Sequence, residues 1–334
     1  MSAKGKVSLL LMSGLLVLLV ACLPVTVTPL PATATLAAVS PTSIQSAATA
    51  LPASPTPLVN PTATSEPSPT PNPPLRFAVI GDFGLGGQPE ADVAELVHGW
   101  NPDIVITVGD DNYPSGAADT IDAHIGQYYH DFIFPYTGTY GPGAAENRFF
   151  PTLGNHDWYT PGAKPYLDYF SLPGNERYYD FVRGPVHFFA LDSDENEPDG
   201  VNEASVQAAW LKQGLAASTS RWNIVYFHHA PYSSGTMHGS TTWMQWPFKA
   251  WGADAVLAGH EHTYERLLVD GLPYFVNGLG GGAIYNFGTA LPESQFRYNA
   301  DYGAMLVTAT GTDLHFEFYS RTGKLIDQYE LTKP

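Results

Sequence analysis

Cysteine is almost missing from this chain: of 334 residues, Cys22 is the only one. No intrachain disulfide can form, so the folded part must be held by packing and by any metal it binds. Basic residues are scarce as well. There are 15 Lys and Arg against 32 Asp and Glu, a formal net charge of −17. Such a surface argues against nucleic acid or an anionic membrane as the main partner. It leaves a phosphate substrate open, because a local pair of cations can outweigh the global sign. Long apolar runs are also lacking. The run from Leu9 to Val20 is too short for a comfortable membrane span. No repeat of fixed period is visible, and Gly278-Leu279-Gly280-Gly281-Gly282 lacks the Lys-Ser/Thr that would make it a P-loop.

What is present begins with an address. Lys4 and Lys6 form a basic start, Leu9 to Val20 an apolar stretch, and Leu19-Val20-Ala21-Cys22 resembles the lipobox of bacterial lipoproteins. That resemblance implies a signal peptide over residues 1–21, lipidation of Cys22, and an exported protein of the bacterial cell envelope, lipid-anchored or secreted. An ordinary signal peptide with an incidental cysteine is the alternative. Residues 22–74 are rich in Pro, Thr, Ser and Ala, with almost no charge and no apolar periodicity. Such a segment cannot bury enough surface to offset backbone entropy, and it reads as a disordered, polyproline-biased tether.

Composition changes at Leu75, where a domain over residues 75–334 begins. Short β-prone runs are expected as strands at Arg76–Ile80, Ile104–Val108, Phe149–Leu153, Val186–Leu191, Asn223–Phe227, Ala255–Ala258, Leu272–Asn277, Ala304–Ala309, Leu314–Tyr319 and Leu325–Leu331. Helical spacing marks Ala91–Trp100 and Ala204–Leu215. Strands and helices alternate first and strands dominate later. The expected fold class is α/β, a four-layer sandwich of two mixed β-sheets flanked by helices.

Five of these runs end in residues suited to metal. They are Gly81-Asp82-Phe83-Gly84, Gly109-Asp110-Asp111-Asn112-Tyr113, Gly154-Asn155-His156-Asp157, Val225-Tyr226-Phe227-His228 and Gly259-His260-Glu261-His262. Side chains at strand ends converge on one crevice. Asp82 and Asp110 offer hard oxygens, and one carboxylate can bridge two ions. His228, His260 and His262 offer imidazole nitrogen. In a β-like segment His260 and His262 would share a face and serve neighbouring ions. Asn155 offers a carbonyl oxygen and Tyr113 a phenolate. Any one patch could be a turn or a structural histidine. Five in this order are hard to produce by chance.

In this order the motifs resemble the purple acid phosphatases, within the wider metallophosphoesterase superfamily. The superfamily usually opens with Asp-x-His. Here the patch is Asp82-Phe83-Gly84, and the missing histidine is matched by Tyr113 of Gly-Asp-x-x-Tyr, as in the purple subset. The resemblance implies a ferric site of Asp82, Asp110, Tyr113 and His262. It implies a second site for Fe(II), Zn or Mn, with Asp110 as bridge beside Asn155, His228 and His260. It makes His156 a phosphate ligand or proton donor, and gives His238 the place of a substrate-binding histidine. The implied reaction is hydrolysis of a small phosphomonoester by a metal-bound hydroxide, an acid phosphatase activity. The same centre would serve a phosphodiesterase or nucleotidase, with loops 114–148 and 230–250 setting pocket size. Iron-based redox chemistry, and a surface binding protein with a structural metal site, are further alternatives. His229 is expected to point away from the site. Asp157 is expected either to orient His156 or to serve as a turn carboxylate.

Overall fold

The computed structural model describes residues 73–334. The leader, Cys22 and the tether up to residue 72 lie outside the described residues. None of the helices described is long and apolar enough to cross a membrane.

Runs of Val, Ile, Phe and Tyr suit a pleated, half-buried surface, and here they form two sheets. In chain order the strands are β1 (Leu75–Ile80), β2 (Ile104–Thr107), β3 (Phe149–Phe150), β4 (Tyr179–Arg183), β5 (Val186–Ala190), β6 (Trp222–His229) and β7 (Ala255–Gly259). They continue as β8 (Tyr264–Val269), β9 (Leu272–Asn277), β10 (Ser294–Tyr298), β11 (Gly303–Ala309), β12 (Asp313–Ser320) and β13 (Leu325–Thr332). One sheet has the order β13-β12-β11-β1-β2-β3 and the other β10-β8-β9-β7-β6-β5-β4. Both are mixed. β1, β2 and β3 run parallel while β11 to β13 pair antiparallel. In the other sheet β5, β6, β7 and β9 are parallel, with antiparallel strands at both margins.

The sheets pack through aromatic contacts. Phe77 meets Phe188 at 5.0 Å, Phe275 meets Phe316 at 4.6 Å, and Tyr264 stacks on Phe318 at 4.0 Å between ring centres. Burying each such side chain contributes about 1.5–3 kcal/mol. A polar tie crosses the same gap, where Arg266 of β8 makes a two-pronged pair with Asp327 of β13 at 2.7 and 3.1 Å. Helix Gln88–Trp100 covers the first sheet, with Val93, Ala94 and Val97 in its core. Helix Val206–Ala217 covers the second through Ala208, Leu211 and Leu215. Its start is capped by Ser205 Oγ, which accepts the Ala208 N–H at 3.0 Å. The result is two mixed β-sheets flanked by helices.

Most expected elements form with ends shifted by one to three residues. The run Phe149–Leu153 is cut to two residues: β3 stops at Phe150, because Pro151 has no N–H to continue the ladder. Three strands escape a sequence reading. β4 and β10 are margin strands with exposed residues at alternate positions. β8 carries Glu265 and Arg266, yet Glu265 is buried, accepting hydrogen bonds from Ser234 N, Ser234 Oγ and Ser294 Oγ. The carboxyl ends of β1, β2 and β3 open toward those of β6 and β7, and all five metal-type patches lie there.

Candidate metal centre

The two Gly-Asp turns are built alike. Asp82 follows β1 and Asp110 follows β2, both at φ 55, in the left-handed region that non-glycine residues seldom occupy. Both carboxylates are buried, 0% and 2% exposed. Gly109 has φ 85, and a Cβ there would come within 2.7 Å of His228 Nδ1, so only glycine lets this turn pass the histidine. Asn155 opens the short helix Asn155–Trp158, and His228 lies at the end of β6. His260 and His262 are in a bend between β7 and β8 and not in a strand, with His260 at φ 71.

These side chains meet in two groups that share Asp110. In the first, the Tyr113 hydroxyl lies 2.9 Å from Asp110 Oδ2, 3.0 Å from His262 Nε2 and 3.5 Å from Asp82 Oδ1. Asp82, Asp110 and His262 offer ligand atoms all within 4.8 Å of one another. In the second, His228 Nε2 lies 3.0 Å from His260 Nδ1, 3.1 Å from Asn155 Oδ1 and 3.4 Å from Asp110 Oδ2. The far ring nitrogens are already engaged: His228 Nδ1 on Val108 O at 2.9 Å, and His262 Nδ1 on Ala283 O at 2.7 Å. Each therefore turns Nε2 inward, the arrangement of a metal-ligating imidazole.

Protons alone satisfy this arrangement poorly. In the first group a single O–H faces a carboxylate oxygen from each of two aspartates and an imidazole nitrogen. In the second, two imidazole nitrogens, an amide oxygen and a carboxylate oxygen crowd together, all of them able to accept. A cation in each group would engage all of them, and the ligand atoms of Asp82, Asp110 and His262 lie close enough together to hold one ion. Two carboxylates and a phenol suit a hard trivalent ion, whereas two imidazoles with amide and carboxylate oxygen suit Zn, Fe(II) or Mn. The titration behaviour carries the same strain. Burial alone would raise the Asp110 pKa, but His228 and His156 outweigh it and hold it well below the usual range. Burial alone would lower His228, but Asp110 prevails and raises it to about 10. Burial and then the neighbouring His228 hold His260 far below an ordinary histidine. Burial, Asp110 and Asp82 push the Tyr113 phenol well up, so a phenolate here requires a strong positive charge beside it.

His156 and His238 flank the two groups. His156 Nδ1 bonds to Pro114 O at 2.6 Å, and its Nε2 stands 4.0 Å from Asp110 Oδ2. The His238 ring lies over His260, 3.9 Å between centres. Asp157 does not touch the His156 ring. Its carboxylate accepts the N–H groups of Gly154 and Asp111 at 2.9 and 3.2 Å, which makes it a turn carboxylate. His229 does not point away as a regular strand would direct it. The pairing of β6 with β7 is irregular between Tyr226 and His229, and the His229 ring sits 4.3 Å from His260. It pairs with Ser193 Oγ at 2.9 Å, and burial and His228 lower its pKa to about 3, which leaves it neutral.

Two aromatic residues at the site were not singled out from sequence. Tyr159 accepts the Asn155 Nδ2–H at 3.1 Å, and its ring lies 4.8 Å from that of His156. The four-residue spacing from Asn155 was a usable signal. Tyr285 stacks on His262 at 4.1 Å and 8°. It comes from a loop with no periodic pattern, and no signal pointed to it. Asp192, behind His229 and Ser193, is buried and accepts from Asp194 N and from Trp158 Nε1.

Comparison with known proteins places the chain in a family. The calcineurin-like phosphoesterase family model matches residues 75–264, more than half of the chain, and the chain belongs to that family. Its relatives include purple acid phosphatase 15 of Arabidopsis thaliana, 27% identical over 228 residues, covering 58% of this chain and 41% of that protein. Purple acid phosphatase 23 of Arabidopsis thaliana is 28% identical over 224 residues, covering 58% and 48%. The chain thus spans less than half the length of these two relatives. Tartrate-resistant acid phosphatase type 5 of Homo sapiens is 24% identical over 247 residues, covering 62% and 73%. Among solved structures, purple acid phosphatase PPD1 from yellow lupin (Lupinus luteus) matches with a TM-score of 0.63 at 19% identity, covering 79% of this chain and 55% of that one. At that identity the match speaks to the fold.

Proposed function

We propose that this calcineurin-like phosphoesterase hydrolyses phosphomonoesters at a dinuclear centre. Asp82, Asp110, Tyr113 and His262 would hold Fe(III), and Asp110, Asn155, His228 and His260 would hold Fe(II), Zn or Mn. The observation that carries the reading is the meeting of these seven side chains in two groups joined by Asp110 Oδ2, which lies 2.9 Å from Tyr113 Oη and 3.4 Å from His228 Nε2. Two bound cations would supply a clamp on the phosphoryl oxygens and a water made acidic enough to attack phosphorus.

The remaining work falls to the chain's own residues. His156 is anchored through Nδ1 on Pro114 O, so Nε2 is held toward the shared carboxylate, where it would grip a phosphoryl oxygen. His238 lies on the opposite flank, over His260 and on an exposed loop. In the hydrolysis, water oxygen bonds to phosphorus and one water proton leaves to solvent, the ester P–O bond breaks, and His238 gives its proton to the leaving oxygen before regaining one from solvent. Tyr159 and Tyr285 supply aromatic walls beside His156 and His262.

Hydrolysis of p-nitrophenyl phosphate from acid to neutral pH, by protein loaded with iron and zinc, tests the proposal. Activity that is lost in Asn155→Ala supports it. A metal-loaded protein that cleaves only diesters moves the assignment to a phosphodiesterase with the same centre, and one that cleaves neither removes it. The same reading places the domain over residues 75–334 on an envelope tether lipidated at Cys22. Radiolabelled palmitate entering the wild type and absent from Cys22→Ala would support that part.

A further inference from the structure

Glu261 lies between two candidate ligands, His260 and His262, and the hydrolysis as described leaves it idle. It is fully buried. Its Oε1 accepts three consecutive backbone N–H groups, from Met237 at 2.9 Å, His238 at 3.0 Å and Gly239 at 3.2 Å. Three adjacent amides converging on one carboxylate oxygen form an anion nest, here filled by the protein's own side chain. The segment they belong to is exposed at Thr236, Met237 and His238. A solvent-facing turn of this kind has few apolar contacts to fix its shape, so its hydrogen bonds decide where it sits.

Gly235 supplies a separate observation. A Cβ at residue 235 would run into Glu261 Oε1. The turn is therefore packed directly on the carboxylate. Glu265 fastens the base of the same loop, through Ser234 N at 2.7 Å and Ser234 Oγ at 2.6 Å. On the far side, Thr236 N bonds to Asn286 O at 3.0 Å and Gly288 N to Ser234 O at 2.8 Å. Among the described residues, Glu261 is the only side chain that hydrogen-bonds the backbone of residues 237 to 239.

We propose that Glu261 is a positioning residue for His238. Its flanking residues face the candidate ions, and its own carboxylate holds the backbone of the turn, so the His238 ring is kept over His260. The short stretch Gly259-His260-Glu261-His262 thereby couples the place of the metal ligands to the place of the proton donor. This rests on His238 acting as that donor.

A leaving-group comparison tests it. Expulsion of p-nitrophenolate needs little protonation, whereas expulsion of the glycerol alkoxide from β-glycerophosphate needs much. His238→Ala should lower kcat on β-glycerophosphate by about 10²-fold or more and affect p-nitrophenyl phosphate far less. Glu261→Ala should show the same selectivity, with a loss of roughly 10- to 100-fold from the displaced histidine, and bound metal should be unchanged. The double variant should be no worse than His238→Ala alone, since both act through one group. Glu261→Gln keeps an acceptor oxygen for the three amides and should restore most of the rate. Without metal, hydrogen exchange at the amides of residues 237–239 should quicken in Glu261→Ala and not in Glu261→Gln. Equal losses on both substrates, additive losses in the double variant, or lost metal in Glu261→Ala would each give Glu261 a purely structural role and overturn the proposal. If His238→Ala spares β-glycerophosphate, the donor role of His238 fails instead.

Discussion

Removing one atom, the Tyr113 hydroxyl, separates a ferric site from every other reading of the first group. Tyr113→Phe leaves the ring in place, 4.4 Å from His156 and 6.1 Å from His262 between centres. In metal-free protein it deletes the bond to Asp110 Oδ2 at 2.9 Å. A hydrogen bond to a charged group contributes about 1.5–3 kcal/mol, so the metal-free variant should lose no more than that. In the loaded protein the loss is larger. Changing even the outer partners of a metal ligand typically costs about 10–100-fold in affinity, so deleting a direct ligand should cost at least the upper end of that range. Phenolate-to-iron charge transfer should also vanish, and with it any visible colour. The assay titrates Fe(III) into metal-free wild type and variant, reading visible absorption and bound iron together. Equal colour in the two proteins, or iron affinity within about threefold, which is under 1 kcal/mol, would refute the assignment of Tyr113. A colourless zinc protein that still cleaves phosphate esters would keep the phosphoesterase and remove the iron.

Three further outcomes follow from the surrounding structure. Gly109→Ala should cost about 1–2 kcal/mol for its left-handed φ and about 1–3 kcal/mol more for overpacking on His228, seen as a lower thermal midpoint together with weaker metal binding. Asp327→Ala should cost about 3 kcal/mol by leaving Arg266 unpaired between the sheets, measurable in calorimetry as a fall of roughly 6–12 °C. Glu90 accepts the N–H groups of Leu85 and Gly86 on Oε2, and burial raises its pKa well above the ordinary 4.5 despite them. The folded state therefore holds this proton more tightly than the unfolded chain, so wild type should lose stability as pH climbs from about 4.5 toward the raised value. Glu90→Gln should flatten that slope in denaturant titrations run at several pH values, and an unchanged slope would count against a buried, protonated Glu90.

Much of this was legible because the signals are local. A strand that ends in Gly-Asp, or in Gly-His-Glu-His, announces both the element and the residue it presents. What stayed hidden depends on contacts across the chain. Glu261 and the turn at residues 237–239 are more than twenty positions apart, and nothing in either stretch names the other. β8 was hidden by Glu265, whose charge suggests a surface and whose partners, Ser234 and Ser294, are known only once the sheet is folded. The direction of His229 was misread for a related reason. Strand alternation was applied to a place where the register of β6 breaks.

The same view explains why strain collects at the site. Among the described residues, seven non-glycine positions have positive φ, and three of them, Asp82, Asp110 and His260, carry candidate ligands. Each costs about 1–3 kcal/mol and persists only where its surroundings determine it. Here the surroundings are the other patches. Asp82 accepts the His260 N–H on both carboxylate oxygens at 3.0 and 3.1 Å, and its own N–H bonds to Gly109 O at 3.0 Å. Asp110 Oδ1 accepts the His156 N–H at 2.9 Å, and Tyr113 N bonds to Gly84 O at 2.8 Å. His228 reaches from the other sheet to Val108 O. Every patch is thus tied to another by a main-chain group, across both sheets. Asp82, Asp110 and His228 make these ties with their own side chains and also face the two groups, so their positions are set by the fold before any ion arrives. That is the condition under which a metal centre can be both strained and specific.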